Sequence, residues 1–347
     1  MAHMNIFESD PFSTVTMTDA LQRVDFQPTM IRSLINFTPV PIRNEFVSVE
    51  ERDGTLSIIQ TSERGAPPEK RGPTEKRKLR VFKTPRITKQ DTITASEVQG
   101  IRAFGSETEL MQVQAEVARR LNGPVGIMRD IEMTWEHMAL GCINGVVLDA
   151  DGSTIYDYFV EFEQATPAVV SFDMSASDGS LREACVNVAR EVAVAGRGLI
   201  RPPAGDTPWL TALCSDAFID ALMKAPEVRE TYLDTSRAQA LLAGSAYGNS
   251  LTIGPIRFVN YRGSDDGATI TIPDGDARLV PNNAPGIFQV AYSPFESFDY
   301  VNTPGLPVYS MIVPDPSGRN MFVDVEAYSY PLFMCRRPEV LRTLRAA

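Results

Sequence analysis

Histidine and cysteine are scarce in this chain of 347 residues, and this scarcity limits the chemistry that the chain can support. Only two histidines occur, His3 and His137. The four cysteines lie far apart and form no Cys-x-x-Cys pair, whereas zinc sites in proteins use closely spaced Cys and His ligands. We therefore expect no metal site, no cofactor and no catalytic histidine, and we expect the thiols to be reduced and buried.

Long apolar runs are also absent. No run approaches the roughly 20 residues that a membrane-spanning helix requires, and no signal peptide is recognisable at the start of the sequence. The formal net charge is −11, so the protein as a whole should repel nucleic acid rather than wrap it. The length allows two or three compact units, each with a buried core.

Lysine is rare outside one segment. Five of the six lysines lie between residues 63 and 89, where ten Lys or Arg accompany three Glu. Pro67, Pro68 and Pro73 argue against a packed element here, so we predict a long exposed loop. Such a loop could hold nucleic acid, but Phe82 is its one aromatic residue. A protein surface is the favoured partner.

Local patterns predict hairpins and helices on either side of this loop. Asp53-Gly54 lies between two alternating runs and predicts a β-hairpin turn. The flanking segments Thr55–Thr61 and Leu79–Thr84 are candidates for pairing with each other. Residues 95–145 are predicted to be helical, as one interrupted helix or two consecutive ones. Alternating aromatic and acidic residues after Gly152 predict a strand with one solvent-exposed face.

The segment GVVLDADGSTIYDYF, from Gly145 to Phe159, allows two interpretations. An apolar run leading to Asp149 and Asp151 is the pattern with which haloacid-dehalogenase-type phosphatases present a nucleophile and a general acid. The same residues suit a tight turn, because Gly152 can adopt the positive φ of a primed β-turn. No alternation of strands and helices follows, as a doubly wound sheet requires. We therefore favour a hairpin turn at Asp151 and Gly152.

Three stretches, taken in order, carry a family resemblance. They are EVQGIRAFGSETE at 97–109, TWEHMALGCINGVVLDADG at 134–152 and VYSMIVPDPSGRNMFVDVEAYSYPLFMCRRPEVL at 308–341. Together with a proline-rich start, a hairpin with a charged tip and a long helical region, they make the chain resemble the capsid protein E family. This family comprises major capsid proteins of lambda-type tailed bacteriophages.

The resemblance implies an α+β fold of the Hong Kong 97 type. A spine helix would lie at about 104–145, inside the peripheral domain. The implied parts are an N-terminal arm (1–42), an extended β-hairpin called the E-loop (43–92), a peripheral domain (93–200, joined by 336–347) and an axial domain (201–335).

The resemblance also implies a structural protein without catalytic residues. Copies would associate as hexamers and pentamers into the icosahedral head shell of a virion, enclosing double-stranded DNA without binding it specifically. Assembly would take place in the host cytoplasm with scaffold, portal and decoration proteins and without a membrane. Encapsulin nanocompartments, which are similar in fold and enclose cargo enzymes, are the alternative kind of shell.

The basic loop suits such an assembly on physical grounds alone. Positive charge on a body of net charge −11 favours contact between copies. Single exposed ion pairs contribute only ~0–1 kcal/mol each, so strand pairing between copies would have to add to them. The basic residues predicted to contact a neighbouring subunit are Arg64, Lys70, Arg71, Lys76, Arg77 and Lys78.

Overall fold

The computed structural model describes most of the chain between Pro28 and Ala347. The described ranges are 28–53, 76–100, 109–123, 125–200, 202–203, 207–233, 250–264, 266–282, 284, 286–319 and 321–347. Most of the predicted N-terminal arm and the centre of the basic loop lie outside them.

Eight α-helices and sixteen strands lie within the described residues. The helices are α1 (Met30–Leu34), α2 (Ala95–Gly100), α3 (Glu109–Asn122), α4 (Ile127–Asn144), α5 (Tyr158–Glu161), α6 (Ser180–Ala195), α7 (Asp216–Lys224) and α8 (Pro226–Leu233). The strands are β1 (Thr38–Pro41), β2 (Phe46–Asp53), β3 (Lys76–Lys83), β4 (Ile87–Thr94), β5 (Val146–Leu148), β6 (Thr154–Asp157), β7 (Val170–Phe172), β8 (Leu210–Cys214), β9 (Ser250–Ile253), β10 (Ile256–Asn260), β11 (Asp276–Pro281), β12 (Phe288–Tyr292), β13 (Tyr309–Pro314), β14 (Phe322–Ser329), β15 (Pro331–Cys335) and β16 (Arg342–Ala346).

The largest sheet is mixed and has the strand order β7-β16-β11-β8-β10-β9. Its central strand β8, LTALC, is buried at every residue, as expected for a strand that is covered on both faces. Ser215 then caps α7 by accepting a hydrogen bond from the Phe218 N–H, and the Phe218 ring stacks on Phe258 at 6.1 Å. The apolar run 210–214 thus forms the centre of the sheet, and the Ser215 cap that follows it fixes where α7 begins.

The last strand of the chain lies inside this sheet. β16 pairs in parallel with β7 and antiparallel with β11. Arg345 donates two hydrogen bonds, of 2.7 and 3.1 Å, to the buried carboxylate of Asp276. A forked, charge-assisted pair of this kind is stronger than a neutral hydrogen bond, so the C-terminal strand is firmly held.

Helix α4 is the apolar centre of the remaining elements. It packs against β5, β15 and α1. The Trp135 indole N–H donates to the Ser329 hydroxyl at 3.1 Å, and the buried Glu136 carboxylate accepts from the Ile31 N–H at 2.8 Å. Burial raises the pKa of Glu136. The helix therefore ties the start of the described chain to β14.

Two three-stranded sheets flank this helix. One has the order β1-β12-β15 and the other β13-β14-β4. β1 pairs in parallel with β12, and β4 pairs antiparallel with β14 along its whole length. Strands from the beginning of the chain are therefore completed by strands from its last fifth.

Strand pairing divides the chain differently from the predicted domain boundaries. The largest sheet joins β7, from the predicted peripheral range, to β8–β11 of the predicted axial range. Residues 288–335, predicted as axial, instead pair with β1 and β4 and pack against α4. The C-terminal residues bond to both groups. Pairing between strands that are far apart in sequence leaves no local signal, which is why the predicted boundaries follow only the order of the chain.

Two local predictions also differ from the structure. The strand after Gly152 ends at Asp157, whose side chain accepts from the Phe159 and Val160 N–H groups and so caps α5. The alternation of aromatic residues continues into this short helix, which is why it resembles a strand. Leu79–Lys83, expected to pair with 55–61, instead pairs with 46–50 of β2.

Gly145 and Gly152 have the same φ of +83°, so comparing them tests whether Gly145 is also required for close packing at the end of α4. Gly145 ends α4, and a Cβ there would collide with the buried Phe159 ring, whereas a Cβ at Gly152 would meet nothing within 4 Å. Gly152→Ala should cost about 1–2 kcal/mol of backbone strain, and Gly145→Ala should cost about 1–3 kcal/mol more from overpacking. Urea unfolding of the unassembled chain measures both. Equal losses would contradict the packing assigned to Gly145.

Candidate functional site

The β2–β3 hairpin has one buried face and one exposed face. On the inner face Val47, Val49 and Phe82 belong to the main apolar core. On the outer face Leu79 is 68 % exposed and Val81 is 56 % exposed. A two-stranded hairpin is marginally stable by itself, and large apolar side chains exposed next to each other on one are typical of a surface that another chain covers.

Aromatic side chains fix the root of the hairpin to the body. The Phe82 ring lies 5.4 Å from Tyr156 and 5.8 Å from Phe162, measured between centroids. The Tyr156 hydroxyl accepts from the Lys83 N–H and donates to the Lys83 carbonyl, each at 2.8 Å. These contacts hold the strand by its backbone as well as by its side chains.

Nearer its tip, the hairpin is held to the body by charged groups. Lys78 Nζ lies 2.6 Å from Glu163 Oε2, and the Arg80 guanidinium lies 3.8 Å from Glu163 Oε1. Arg80 also donates to the Glu161 carbonyl and lies over the Phe162 ring, 5.4 Å from its centroid. The Lys78 ammonium lowers the pKa of the Glu163 carboxyl, which therefore stays ionised next to it.

A small polar cluster closes the base of the hairpin. The Thr84 and Ser293 hydroxyls are 2.7 Å apart, and Ser293 donates to the Asn44 carbonyl at 3.0 Å. The Thr84 N–H donates to the Glu45 carbonyl. Because both hydroxyls are buried, their mutual bond satisfies groups that would otherwise be costly to bury.

The structure locates only part of the predicted basic contact set. Lys78 is bonded to Glu163 of its own chain, while Lys76 and Arg77 pair through the β3 backbone with Asp53 and Arg52. Arg64, Lys70 and Arg71 lie outside the described residues.

Asp151 and Gly152 lie in the turn between β5 and β6. The Gly152 N–H donates to the Asp149 carbonyl at 3.0 Å, and the Asp149 N–H donates to the Ser153 carbonyl at 2.8 Å. Asp151 accepts from the Ser153 N–H at 2.8 Å, and hydrogen bonds from Ser153 lower the pKa of the Asp151 carboxyl.

This setting does not suit a phosphatase nucleophile. Asp149 follows a three-residue strand of a two-stranded antiparallel hairpin, whereas such a nucleophile ends a parallel strand of a doubly wound sheet. Among the described residues, no three His, Cys, Asp or Glu side chains are grouped closely enough to hold a metal ion. All four cysteines are buried, and burial raises the pKa of Cys185 and Cys335 to about 12.

Sequence reasoning missed Arg80, Glu161 and Glu163. The stretch KLRVFK does contain a usable signal, because its alternation places Arg80 on the face of Phe82 and Leu79 on the face of Val81. No pattern marks Glu163, which lies 85 residues from Lys78 in sequence.

Comparison with known proteins identifies the family. The family model described as phage major capsid protein E matches residues 13–346. The chain belongs to the phage major capsid protein E family. The predicted family resemblance is confirmed.

Two curated phage proteins are similar to the chain over most of its length. The chain is 25 % identical to the major capsid protein of Salmonella phage Felix O1, with 98 % of this chain and 97 % of the relative covered. It is 26 % identical to the major capsid protein of Pseudomonas phage KPP10, covering 81 % of this chain and 82 % of the relative.

Solved structures support the fold of this phage major capsid protein E family member. The capsid protein of cyanophage A-1(L) superposes with a TM-score of 0.54 at 9 % identity, covering 99 % of each chain. That of cyanophage P-SCSP1u gives 0.50 at 9 % identity, covering 93 % of this chain and 89 % of the other. The predicted α+β fold of the Hong Kong 97 type is confirmed. Among the described residues, no helix has the length and apolar character needed to cross a membrane.

Two substitutions on opposite faces of β3 test the two-faced hairpin. Phe82→Ala should destabilise the subunit by about 3–5 kcal/mol, because it removes a buried ring. Leu79→Ala, on the outer face, should change the free energy of unfolding by less than about 0.5 kcal/mol. Chemical denaturation of the unassembled chain measures both. A large loss for Leu79→Ala would show that the outer face is covered within the single chain.

Proposed function

We propose that the chain is the major capsid protein of a tailed bacteriophage, and that its copies form the icosahedral head shell around double-stranded DNA. The match of the capsid family to residues 13–346, nearly the whole chain, carries this proposal. Hexamers and pentamers are the proposed units of assembly, and the virion is the proposed location.

The outer face of the β2–β3 hairpin is the proposed contact with a neighbouring copy. Phe46, Leu79 and Val81 expose apolar area there. The adjoining basic residues would meet acidic surface on the neighbour, since the chain has 44 acidic and 33 basic residues. The proposed basic contacts remain Arg64, Lys70, Arg71, Lys76, Arg77 and Lys78. Because Lys78 already pairs with Glu163, its contribution should be smaller than that of the others.

The domains of the proposed shell subunit follow the sheets. The hairpin from 43 to 92 would be the extended loop. A peripheral unit would centre on α4 with β12–β15, and an axial unit on the large sheet, from 170 to 281 with β16. This division keeps the six-stranded sheet within one unit, which the predicted boundary near residue 200 does not.

We further propose the remaining features of a head-shell protein. Scaffold, portal and decoration proteins are the proposed partners, and assembly would take place in the host cytoplasm. The net charge of −11 favours enclosure of DNA without specific binding. No catalytic role is proposed. An encapsulin-like shell is the less favoured alternative, because the matching family is one of phage capsids.

Electron microscopy of the purified full chain tests the proposal directly. The unchanged chain should form closed shells or their capsomers. The variant carrying Leu79→Asp and Val81→Asp should stay unassembled but folded, because two carboxylates would have to be buried in the contact. Val194→Asp, at an exposed position on α6, is the control and should still assemble. Failure of the unchanged chain to form particles in any buffer contradicts the function, and shells from the double variant contradict the contact surface.

The substitution Asp149→Asn distinguishes the proposed shell function from the phosphatase interpretation. Asp149 Oδ1 accepts from the Ala150 N–H, and the amide oxygen of Asn can accept the same bond. Particle yield should therefore be unchanged. Phosphomonoester hydrolysis by the parent that disappears in this variant would instead support the enzyme.

A further inference from the structure

The β2–β3 hairpin is held to the body by two different kinds of interaction. From Phe82 to its root, the strand is fixed by buried apolar side chains and by the Tyr156 hydroxyl. From Arg80 towards the tip, charged contacts with the body join Lys78 and Arg80 to Glu163 and Arg80 to the Glu161 carbonyl, while Val49, opposite Arg80, is still buried in the core. We name Lys78, Arg80, Glu161 and Glu163 the hairpin anchor.

The body side of the hairpin anchor is rigidly built. Asp157 caps α5, the Glu163 N–H donates to the Val160 carbonyl at 3.1 Å, and the Gln164 N–H donates to the Phe159 carbonyl at 2.8 Å. Glu163 itself has a φ of +54°, a left-handed conformation that a non-glycine residue keeps only where its surroundings impose it. The backbone of Glu163 is thus held in place on the body, and the hairpin is the part expected to move.

The two halves of the hairpin differ in how easily they detach. Burial of a large apolar side chain such as Phe82, which is 1 % exposed, is not an interaction between charges and is therefore not screened by salt. Lys78 and Glu163 are both exposed, and exposed ion pairs are weak and screened by salt. The outer half should therefore detach first, with the strand pivoting beyond Arg80, because Arg80 is largely buried and its strand partner Val49 lies in the core.

We propose that Glu163 is a positioning residue that sets the angle of the outer half of the hairpin through the hairpin anchor. In the single chain the anchor holds one angle. Release of the anchor lets the outer half pivot while the root stays docked. The anchor is a property of the single chain, but its use rests on the proposed shell function, in which identical copies meet neighbours at different angles in hexamers and pentamers.

Distance measurement between two spin labels tests the anchor. Cysteines placed at Leu79 on the hairpin and at Val160 on α5 are suitable, because both positions are exposed and the native cysteines are all buried. Leu79 is on the outer face, so its label does not displace Lys78 or Arg80. Double electron–electron resonance on the full chain in low salt should show one narrow distance peak.

Three substitutions are compared in this labelled chain. Glu163→Gln should abolish the narrow peak and give a broad distribution, and Lys78→Gln should do the same. Combining the two should add little, since either change breaks the same contact. Glu230→Gln, at an exposed position on α8, removes the same charge away from the hairpin and should keep the narrow peak. High salt should broaden the peak of the unchanged chain but not that of Glu163→Gln.

The proposal is overturned if Glu163→Gln and Lys78→Gln both keep the narrow peak, or if Glu230→Gln broadens it equally. Circular dichroism of each variant shows whether the fold is retained. Electron microscopy of the same variants with native Leu79 and Val160, without spin labels, separates this result from the shell function, because Leu79 lies on the proposed contact with a neighbouring copy. Shells that form while the peak stays narrow in both variants refute the anchor alone. A lost peak in a chain that never forms shells refutes the shell function alone.

Discussion

Burial of helix α4 is the interaction on which the rest of the structure depends. Ten of its 18 residues are buried. α1, β5 and β15 pack on it from the N-terminal, middle and C-terminal parts of the chain. The buried Glu136 is tolerated because the Ile31 N–H donates to it. The two three-stranded sheets, which join strands far apart in sequence, therefore form next to this helix.

In a subunit organised in this way, the β2–β3 hairpin buries only one of its two faces against the body. The inner face of the hairpin reaches the core through Val47, Val49 and Phe82, and its outer face leaves Leu79 and Val81 in solvent. In a monomer this exposure would favour aggregation. In a thin shell it is the expected outcome, because each subunit buries its remaining apolar area against neighbours.

Local chemistry explains which features the sequence predicts. The end of the helical region at Gly145 has a short-range signal in glycine and helical periodicity, whereas the α+β fold followed from the family resemblance. The pairings of β1 with β12 and of β16 with β7 and β11 have none, so the domain boundaries could not be derived. In the candidate site, alternation could place Arg80 but could not identify Glu163, because only the folded chain brings that carboxylate to Lys78.

The two basic residue types have different roles in the described structure. Arginine makes forked contacts at partly buried sites, as Arg345 does with Asp276 and Arg120 with Asp91. Hydrogen bonds from Arg119 and Arg120 lower the pKa of the buried Glu116 to about 2. The described lysine pairs at residues 78, 83 and 89 are all exposed. A lysine ammonium is a flexible point charge that exchanges partners without geometric cost. Concentrating lysine in the segment 63–89, together with its arginines, therefore places exposed positive charge where copies are proposed to meet.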